Sequence, residues 1–264
     1  MTQNELSAGV PLVRALDRGI AILAAFTPER PALTLTELSR AAALDKGTTR
    51  RLLQTLLLNR LVTHDGAAGT YALAGRVLSL AAAVPLGSDL RAAGAGVLRE
   101  LAAETGATSF LWTFDDGMAL CLDSVRVKLP DIEVAWFAVG GRAALNSGAG
   151  PRVLLAHLPA RERERVLAAP LASRTPAAET DPGLLRRQAE RIRTRGWDFA
   201  RDDFVIGLAG LGVPILSARG ALLGALSIAS LTGGFGDPEA PGPLDVLWRC
   251  ASRIAALTEG GRRP

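Results

Sequence analysis

Cysteine and histidine are scarce in this chain. Two cysteines, Cys121 and Cys250, stand far apart in 264 residues, which excludes a disulfide framework and matches no metal-ligand spacing. The two histidines, His64 and His157, fall in a hairpin pattern and an apolar helical stretch, where structural roles suit them better than catalysis. Long apolar runs are missing too. No stretch approaches the ~18–20 residues of a membrane span, and Leu80 to Leu86 is short and broken by Pro85. The opening MTQNELSAGVP has neither a basic nor an apolar segment, so no secretory signal is read there. No P-loop or dinucleotide fingerprint occurs, because the glycine-rich Gly207–Gly212 run lies within a strand pattern. Asp115-Asp116 and Asp202-Asp203 are adjacent pairs, and neighbours in an extended segment point to opposite sides, which does not suit paired acid–base work. The expectation is a reduced cytoplasmic protein with no membrane span, metal, cofactor or enzymatic activity.

What is present is a large apolar fraction, 48%, enough for a substantial core and room for two domains. Charge is unevenly placed. Residues 1–84 carry nine Lys and Arg against six Asp and Glu, and the remainder carries 21 against 20. The positive excess lies in the shorter segment, as a phosphate-binding surface requires.

That segment contains Thr34 to His64, TLTELSRAAALDKGTTRRLLQTLLLNRLVTH. Thr34 and Glu37 stand at capping-box spacing, with Thr36 an alternative N-cap, and Leu38, Ala41 and Ala42 share one face. Asp45 is the N-cap of a second helix from Lys46. Thr49, Leu52, Leu53 and Leu56 form its apolar side, and Gly47, Arg51, Gln54 and Thr55 the opposite one, flanked by Thr48 and Arg50. Arg and Gln pair bidentately with guanine and adenine edges, while Thr hydroxyls and the helix start reach phosphates. A solvated basic face is the plainer alternative for that helix alone. Strand, Gly-rich turn and strand follow over Leu61 to Leu73, and together these elements make a winged helix-turn-helix. The candidate DNA contacts are Arg14, Lys46, Thr48, Thr49, Arg50, Arg51, Gln54 and Thr55, Thr49 being included although it falls on the leucine side.

Around this module, Leu12 to Phe26 reads as a helix with Val13, Leu16, Ile20, Leu23 and Ala24 on one face. Arg14 and Arg18 on its flank suit either phosphate contact or solvent. Gly75 to Val84 reads as an apolar linker helix, placed best against a second subunit. The domains are therefore residues 1–74, a linker over 75–87, and 88–264. In the last, helices are expected at Asp89–Thr105, Gly148 onward, Arg161–Ala168, Pro182–Arg195 and Leu244–Thr258. Strands are expected at Thr108–Phe114, Met118–Val125, Ile132–Ala138, Leu208–Leu216 and Leu222–Ala229. The fold class is α+β with a mainly antiparallel sheet. The five arginines between Arg186 and Arg195 read as a solvated face.

LVRALDRGIAIL, LTLTELSRAAALDKGTTRRLLQTL, YALAGRVLSLA and LNSGAGPRVLLA occur in an order that resembles the isocitrate-lyase-regulator (IclR) family of bacterial transcription factors. The resemblance runs from Leu12 to Thr258. It implies a winged helix-turn-helix, a linker helix and a GAF/PAS-like effector-binding domain. It also implies homodimers or homotetramers on palindromic double-stranded operators, and a small-molecule effector. Lys46, Thr48, Arg50 and Arg51 match the DNA-facing part of the recognition helix, with Gly47 where Ser is common. Ser147, Gly148 and Ala149 match the mouth of the effector pocket, Leu208 and Gly210 a pocket strand, and Ser227 a hydroxyl on the next strand. Gly210 replaces a common Cys, and Ala229 a second Ser found in some members. Backbone amides at Gly148 and Ala149, with Asn146 and Ser147 beside them, suit a carboxylate at a helix start. Trp112, Phe114, Trp136 and Phe137 suit either core or an apolar cavity. The effector expected is an aromatic or medium-sized carboxylic acid. A metabolite-binding or enzymatic domain retaining a DNA-binding module is the alternative, and turnover without DNA binding would distinguish it.

Overall fold

The structure is a computed structural model that describes residues 13–27, 29–84, 88–127 and 139–261. Its contacts divide the chain into two compact units, Met1–Leu86 and Gly87–Pro264.

The first unit contains α1 (Arg14–Ala24), β1 (Ala32–Thr34), α2 (Leu35–Ala41), α3 (Lys46–Leu58), β2 (Val62–Asp65), β3 (Thr70–Leu73) and α4 (Arg76–Ala82). Local side chains start the two central helices. Thr34, rather than Thr36, caps α2 and completes the box with Glu37: the Thr34 amide donates to Glu37 Oε2 at 2.8 Å, and the Glu37 amide donates back to Thr34 Oγ1. Asp45 caps α3 by accepting from the Thr48 amide at 2.8 Å. β1, β3 and β2 form a three-stranded antiparallel sheet in that order. Ile22, Phe26, Leu33, Leu38, Leu53, Leu56 and Val62 make the core.

The expected apolar face of α1 is corrected here. Ile22 and Gly19 are its buried residues, whereas Val13, Leu16 and Ile20 are 68%, 64% and 55% exposed. The helix carries two apolar stripes, and this unit covers only one of them. The linker helix α4 likewise buries nothing, and Leu78 and Leu80 face solvent.

The second unit runs α5 (Ser88–Thr105), β4 (Thr108–Asp115), β5 (Met118–Val125), β6 (Arg142–Ala144), α6 (Ala149–His157), α7 (Ala160–Ala168), α8 (Pro182–Arg195), β7 (Asp198–Arg201), β8 (Leu208–Leu216), β9 (Leu222–Leu231) and α9 (Leu244–Gly260). The sheet order is β6-β5-β4-β9-β8-β7, antiparallel at every pairing. Edge strands β6 and β7 lie outside the sequence expectation, because three or four residues are too few to display alternation. The strand expected at Ile132–Ala138 lies outside the described residues, together with Trp136 and Phe137.

Alternation along the strands makes three layers. Leu111, Leu211, Val213, Leu226 and Ile228 face the side where Leu98 and Leu101 of α5 and Leu247 and Ile254 of α9 pack. Phe110, Trp112 and Ala225 face the other side, where Val153 and Leu154 of α6 and Leu185 and Ile192 of α8 pack. Cys250 belongs to the first layer and Cys121 to the second. Both are free thiols, and burial pushes Cys121 up to about 12.

Helix α6 approaches the sheet closely at its first turn, through a glycine on each side. A Cβ on Gly212 would stand 2.9 Å from the Ala149 carbonyl carbon and 3.0 Å from the Gly150 nitrogen. A Cβ on Gly150 would stand 2.6 Å from the Trp112 ring and 2.8 Å from Ser227 Oγ. Because backbone blocks Gly212, Gly212→Ala is expected to cost about 1–3 kcal/mol as an overpacked contact. Each kcal/mol lowers the melting midpoint by roughly 2–4 °C in a domain this size. An unchanged midpoint in thermal denaturation would show that α6 sits farther from β8.

Candidate functional site

Two surfaces qualify, one in each unit. On α3, the leucine side is buried and the polar side is open. Lys46, Gly47, Arg50, Arg51, Gln54 and Thr55 are exposed and Thr48 is half-buried. No ion pair among the described residues involves Lys46, Arg50 or Arg51. Their charge is thus available to an external anion. Thr49 is corrected: it is 0% exposed, with its hydroxyl donating to the Asp45 carbonyl at 2.9 Å, so it holds the helix start from inside and touches no external partner. Arg14 is exposed at the start of α1. The wing is stiffened by Asp65, whose carboxylate accepts from the Ala67 and Ala68 amides. Arg76 of α4 donates to the Asn59 carbonyl at the end of α3, at 3.0 Å.

The second surface is a cavity between the start of α6 and strands β4, β8 and β9. It encloses ≈ 520 Å³, counting the open space at its mouth. Of the residues expected to bind effector, Trp112, Ser147, Gly148, Ala149, Leu208, Gly210, Ser227 and Ala229 all line it. Trp112 Nε1 donates to Ser227 Oγ at 2.9 Å, leaving the Ser227 proton free to donate elsewhere. Gly210 is not required by crowding, since a Cβ there would meet Ala149 at an ordinary 3.5 Å. Its glycine instead leaves space in the cavity.

Two expectations are corrected here. Asn146 does not line the cavity: its amide nitrogen donates to the Ala172 and Glu179 carbonyls, each at 2.8 Å, and ties the 170–180 loop down. The Gly148 amide is not open to a ligand, because it donates to Asp203 Oδ2 at 2.9 Å. The Ser147 hydroxyl donates to the Asp203 carbonyl oxygen at 2.7 Å. The amides still without an intrahelical carbonyl are those of Ala149 and Gly150, the first two of α6.

Sequence reasoning missed Asp203, Phe110, Phe204 and Val205 in the lining. Strand alternation gave no signal for Asp203, because the Asp202-Asp203 pair lies in a bend after β7 where Asp202 takes a left-handed φ of 57°. Asp202 accepts from the Gly207 amide, and Asp203 is buried to 4% exposure.

Behind the cavity lies a buried ionic cluster. Arg152 of α6 donates from Nε to Asp198 Oδ2 at 2.7 Å and from an Nη to the Phe199 carbonyl at 2.9 Å. Its other Nη lies 3.3 Å from Asp203 Oδ2. Arg195 adds a 3.1 Å contact to Asp198 Oδ1 and covers the Trp197 ring. Arg193 donates to the Ala156 carbonyl. These two arginines are therefore structural anchors, a correction to the expected solvated run, while Arg186 pairs with Glu164 at the surface.

Burial pushes the Asp203 carboxyl above its ordinary value, against the pull of Arg152 and the Gly148 amide. A carboxyl raised in the folded state favours folding at low pH, and that contribution is lost as pH rises through its folded value. Arg152→Met removes the opposing pull and leaves buried carboxylates uncompensated. The expected loss is about 3–5 kcal/mol at neutral pH, shrinking in mildly acidic buffer as Asp203 takes up its proton. Urea denaturation at both pH values measures it, and a pH-independent loss would contradict the assignment.

Comparison with known proteins finds matches over both units. Residues 15–66 match the IclR helix-turn-helix domain, and residues 83–256 match the family described as bacterial transcriptional regulator IclR C-terminal. The chain is 28% identical over 222 residues to the Pca regulon regulatory protein of Pseudomonas putida, covering 83% of this chain and 75% of that one. It is 26% identical over 231 residues to the HTH-type transcriptional regulator XynR of Escherichia coli K12, covering 87% and 91%. In fold it is similar to an IclR homolog from Microbacterium hydrocarbonoxydans complexed with 4-hydroxybenzoate. That similarity has a TM-score of 0.79 at 24% identity, over 93% of this chain and 99% of that one. With both of its units accounted for, the chain belongs to the IclR family of bacterial transcriptional regulators, which act by binding DNA and are not enzymes.

Proposed function

We propose that this regulator reads a palindromic operator as a symmetric homodimer or a tetramer built from such dimers. We propose also that a small organic acid in the α6 cavity modulates that binding in the bacterial cytoplasm. The observation that carries the first reading is the open polar side of α3, whose cations have no carboxylate partner among the described residues. Arg51 and Gln54 are taken as base readers, and Lys46, Thr48, Arg50, Thr55 and Arg14 as phosphate or base-edge contacts. A dimer places two such helices in successive major grooves. Val13, Leu16 and Ile20 on α1, with Leu78 and Leu80 on α4, supply exposed apolar stripes suited to a second copy.

An apolar cavity with few polar groups is the usual form of a small-ligand site. Phe110, Trp112 and Phe204 make this one suitable for an aromatic body, and the Ala149 and Gly150 amides suit a carboxylate. The fold neighbour from Microbacterium holds a compound of that class. Occupancy alters operator affinity only if the two arrangements of the assembly bind the acid unequally.

Arg51→Ala is expected to weaken specific operator binding by about 1–3 kcal/mol without changing thermal stability, since the side chain is exposed. Fluorescence anisotropy on the upstream intergenic duplex measures this, and an unchanged affinity removes Arg51 from the reading surface. Leu78→Glu is expected to shift the full chain toward monomer in sedimentation and to abolish protection of paired half-sites. A dimer that persists would place the interface elsewhere.

A further inference from the structure

The charges buried beside the α6 cavity cancel. Arg152 and Arg195 stand against Asp198 and Asp203, so the interior offers no net positive charge to an entering anion. The rim differs. Among the described lining residues only Val205 is exposed, and its neighbour Phe204 is half-buried, so this segment forms part of the opening. The Arg174 guanidinium covers the Phe204 ring, with Cζ 4.4 Å from the ring centroid. Arg174 is exposed and makes no ion pair with another described residue.

The loop that carries Arg174 is fastened to the rim. Asn146 is 1% exposed and donates its amide nitrogen to the Ala172 and Glu179 carbonyls, one on each side of Arg174. Thr175, next in the chain, is buried, and its hydroxyl donates to the Asp202 carbonyl at 2.6 Å. Asp202 immediately precedes Asp203, Phe204 and Val205, which line the cavity. Stacking on Phe204 then holds the Arg174 side chain over that segment. A guanidinium stacked on a ring stays charged and keeps its in-plane donors for an anion. The carboxylates of the same two segments are engaged elsewhere. Asp202 accepts from the Gly207 amide and the Thr232 hydroxyl, and Glu179 accepts from the Thr180 and Asp181 amides. Arg201, exposed at the end of β7, adds a second cation next to Asp202 in the chain.

We propose that Arg174 is the charge-selecting residue of this cavity, a cation fixed at its rim that favours anionic aromatic ligands over neutral ones of the same shape. This rests on reading the cavity as an organic-acid site, and it locates the discrimination at the rim instead of the buried ion pairs. A rim charge acts partly through water, so its effect is modest and screened by salt. A residue that only packed against Phe204 would affect charged and neutral ligands alike.

The test is calorimetric titration of the full chain with benzoate and with benzamide, its neutral isostere. Wild-type protein is expected to bind benzoate more tightly. Arg174→Gln is expected to weaken benzoate about 3- to 10-fold in low-salt buffer and to leave benzamide unchanged. Arg174→Lys, which keeps the charge, is expected to retain the benzoate preference. Raising the salt to about 1 M, where the screening length falls to about 3 Å, is expected to erase the difference between wild type and Arg174→Gln. The side chain is exposed, and Asn146 and Thr175 still hold the loop, so these variants are expected to remain folded. Equal losses for benzoate and benzamide overturn selection by charge. An unchanged benzoate affinity in Arg174→Gln overturns the role of Arg174 and leaves the acid site standing. Wild-type protein that binds benzamide as tightly as benzoate, or binds neither, overturns the acid site as well.

Discussion

The first turn of α6 presses on the sheet through two glycines: a Cβ on Gly212 would strike the helix backbone, and a Cβ on Gly150 would strike the Trp112 ring and Ser227 Oγ. Most of the second unit's functional geometry follows from this contact. It sets the α6 amides beside β8 next to Gly210, brings Arg152 within reach of Asp198 and Asp203, and holds Trp112 and Ser227 under the helix start. The cavity is the space left between a helix that cannot retreat and strands whose inward positions are small. Gly210 and Ala229 enlarge it where other members of the family are expected to carry Cys and Ser.

The ionic cluster behind the cavity works in the same direction. Arg152 stands on α6 and its partners stand on β7 and the segment after it, so the pairs tie the helix to the edge of the sheet. Such buried pairs give little net stability over an apolar substitute but are costly to break singly. Their effect here is positional. A ligand that engages the α6 amides or Asp203 acts directly on this cluster, and the proposed regulatory response begins there. In the first unit the corresponding constraint is simpler: a buried leucine side on α3 leaves its polar side outward, with Asp45 and Thr49 fixing where the helix starts.

Local structure was legible in the sequence wherever a few adjacent residues determine it. The Thr34–Glu37 box, the Asp45 cap and the hairpin turn at Asp116-Gly117, with φ of 43° and 79°, are of this kind. The order of the longer helices and strands was legible for the same reason, while the three- and four-residue strands β1, β6 and β7 were not. What escaped depends on distant partners. Asp203 meets Gly148 across 55 residues, and Asn146 turns from the cavity because carbonyls 26 and 33 residues away accept its amide. Periodicity detected that α1 is amphipathic but not which stripe its own unit covers, because that depends on where Phe26, Leu53 and Leu56 converge with Ile22. Thr49 showed the converse hazard, a polar residue type on a wheel position that belongs to the core.

The central claim is that the first turn of α6, held on the sheet by its glycine contacts, is where this regulator senses its ligand. Amide chemical shifts in an isotope-labelled full chain, followed as benzoate is added, test it most directly. The account predicts that the Ala149 and Gly150 resonances move furthest, with the Trp112 indole and Ser227 close behind. Saturable shifts confined to some other part of the chain, with the α6 amides unmoved, would contradict it.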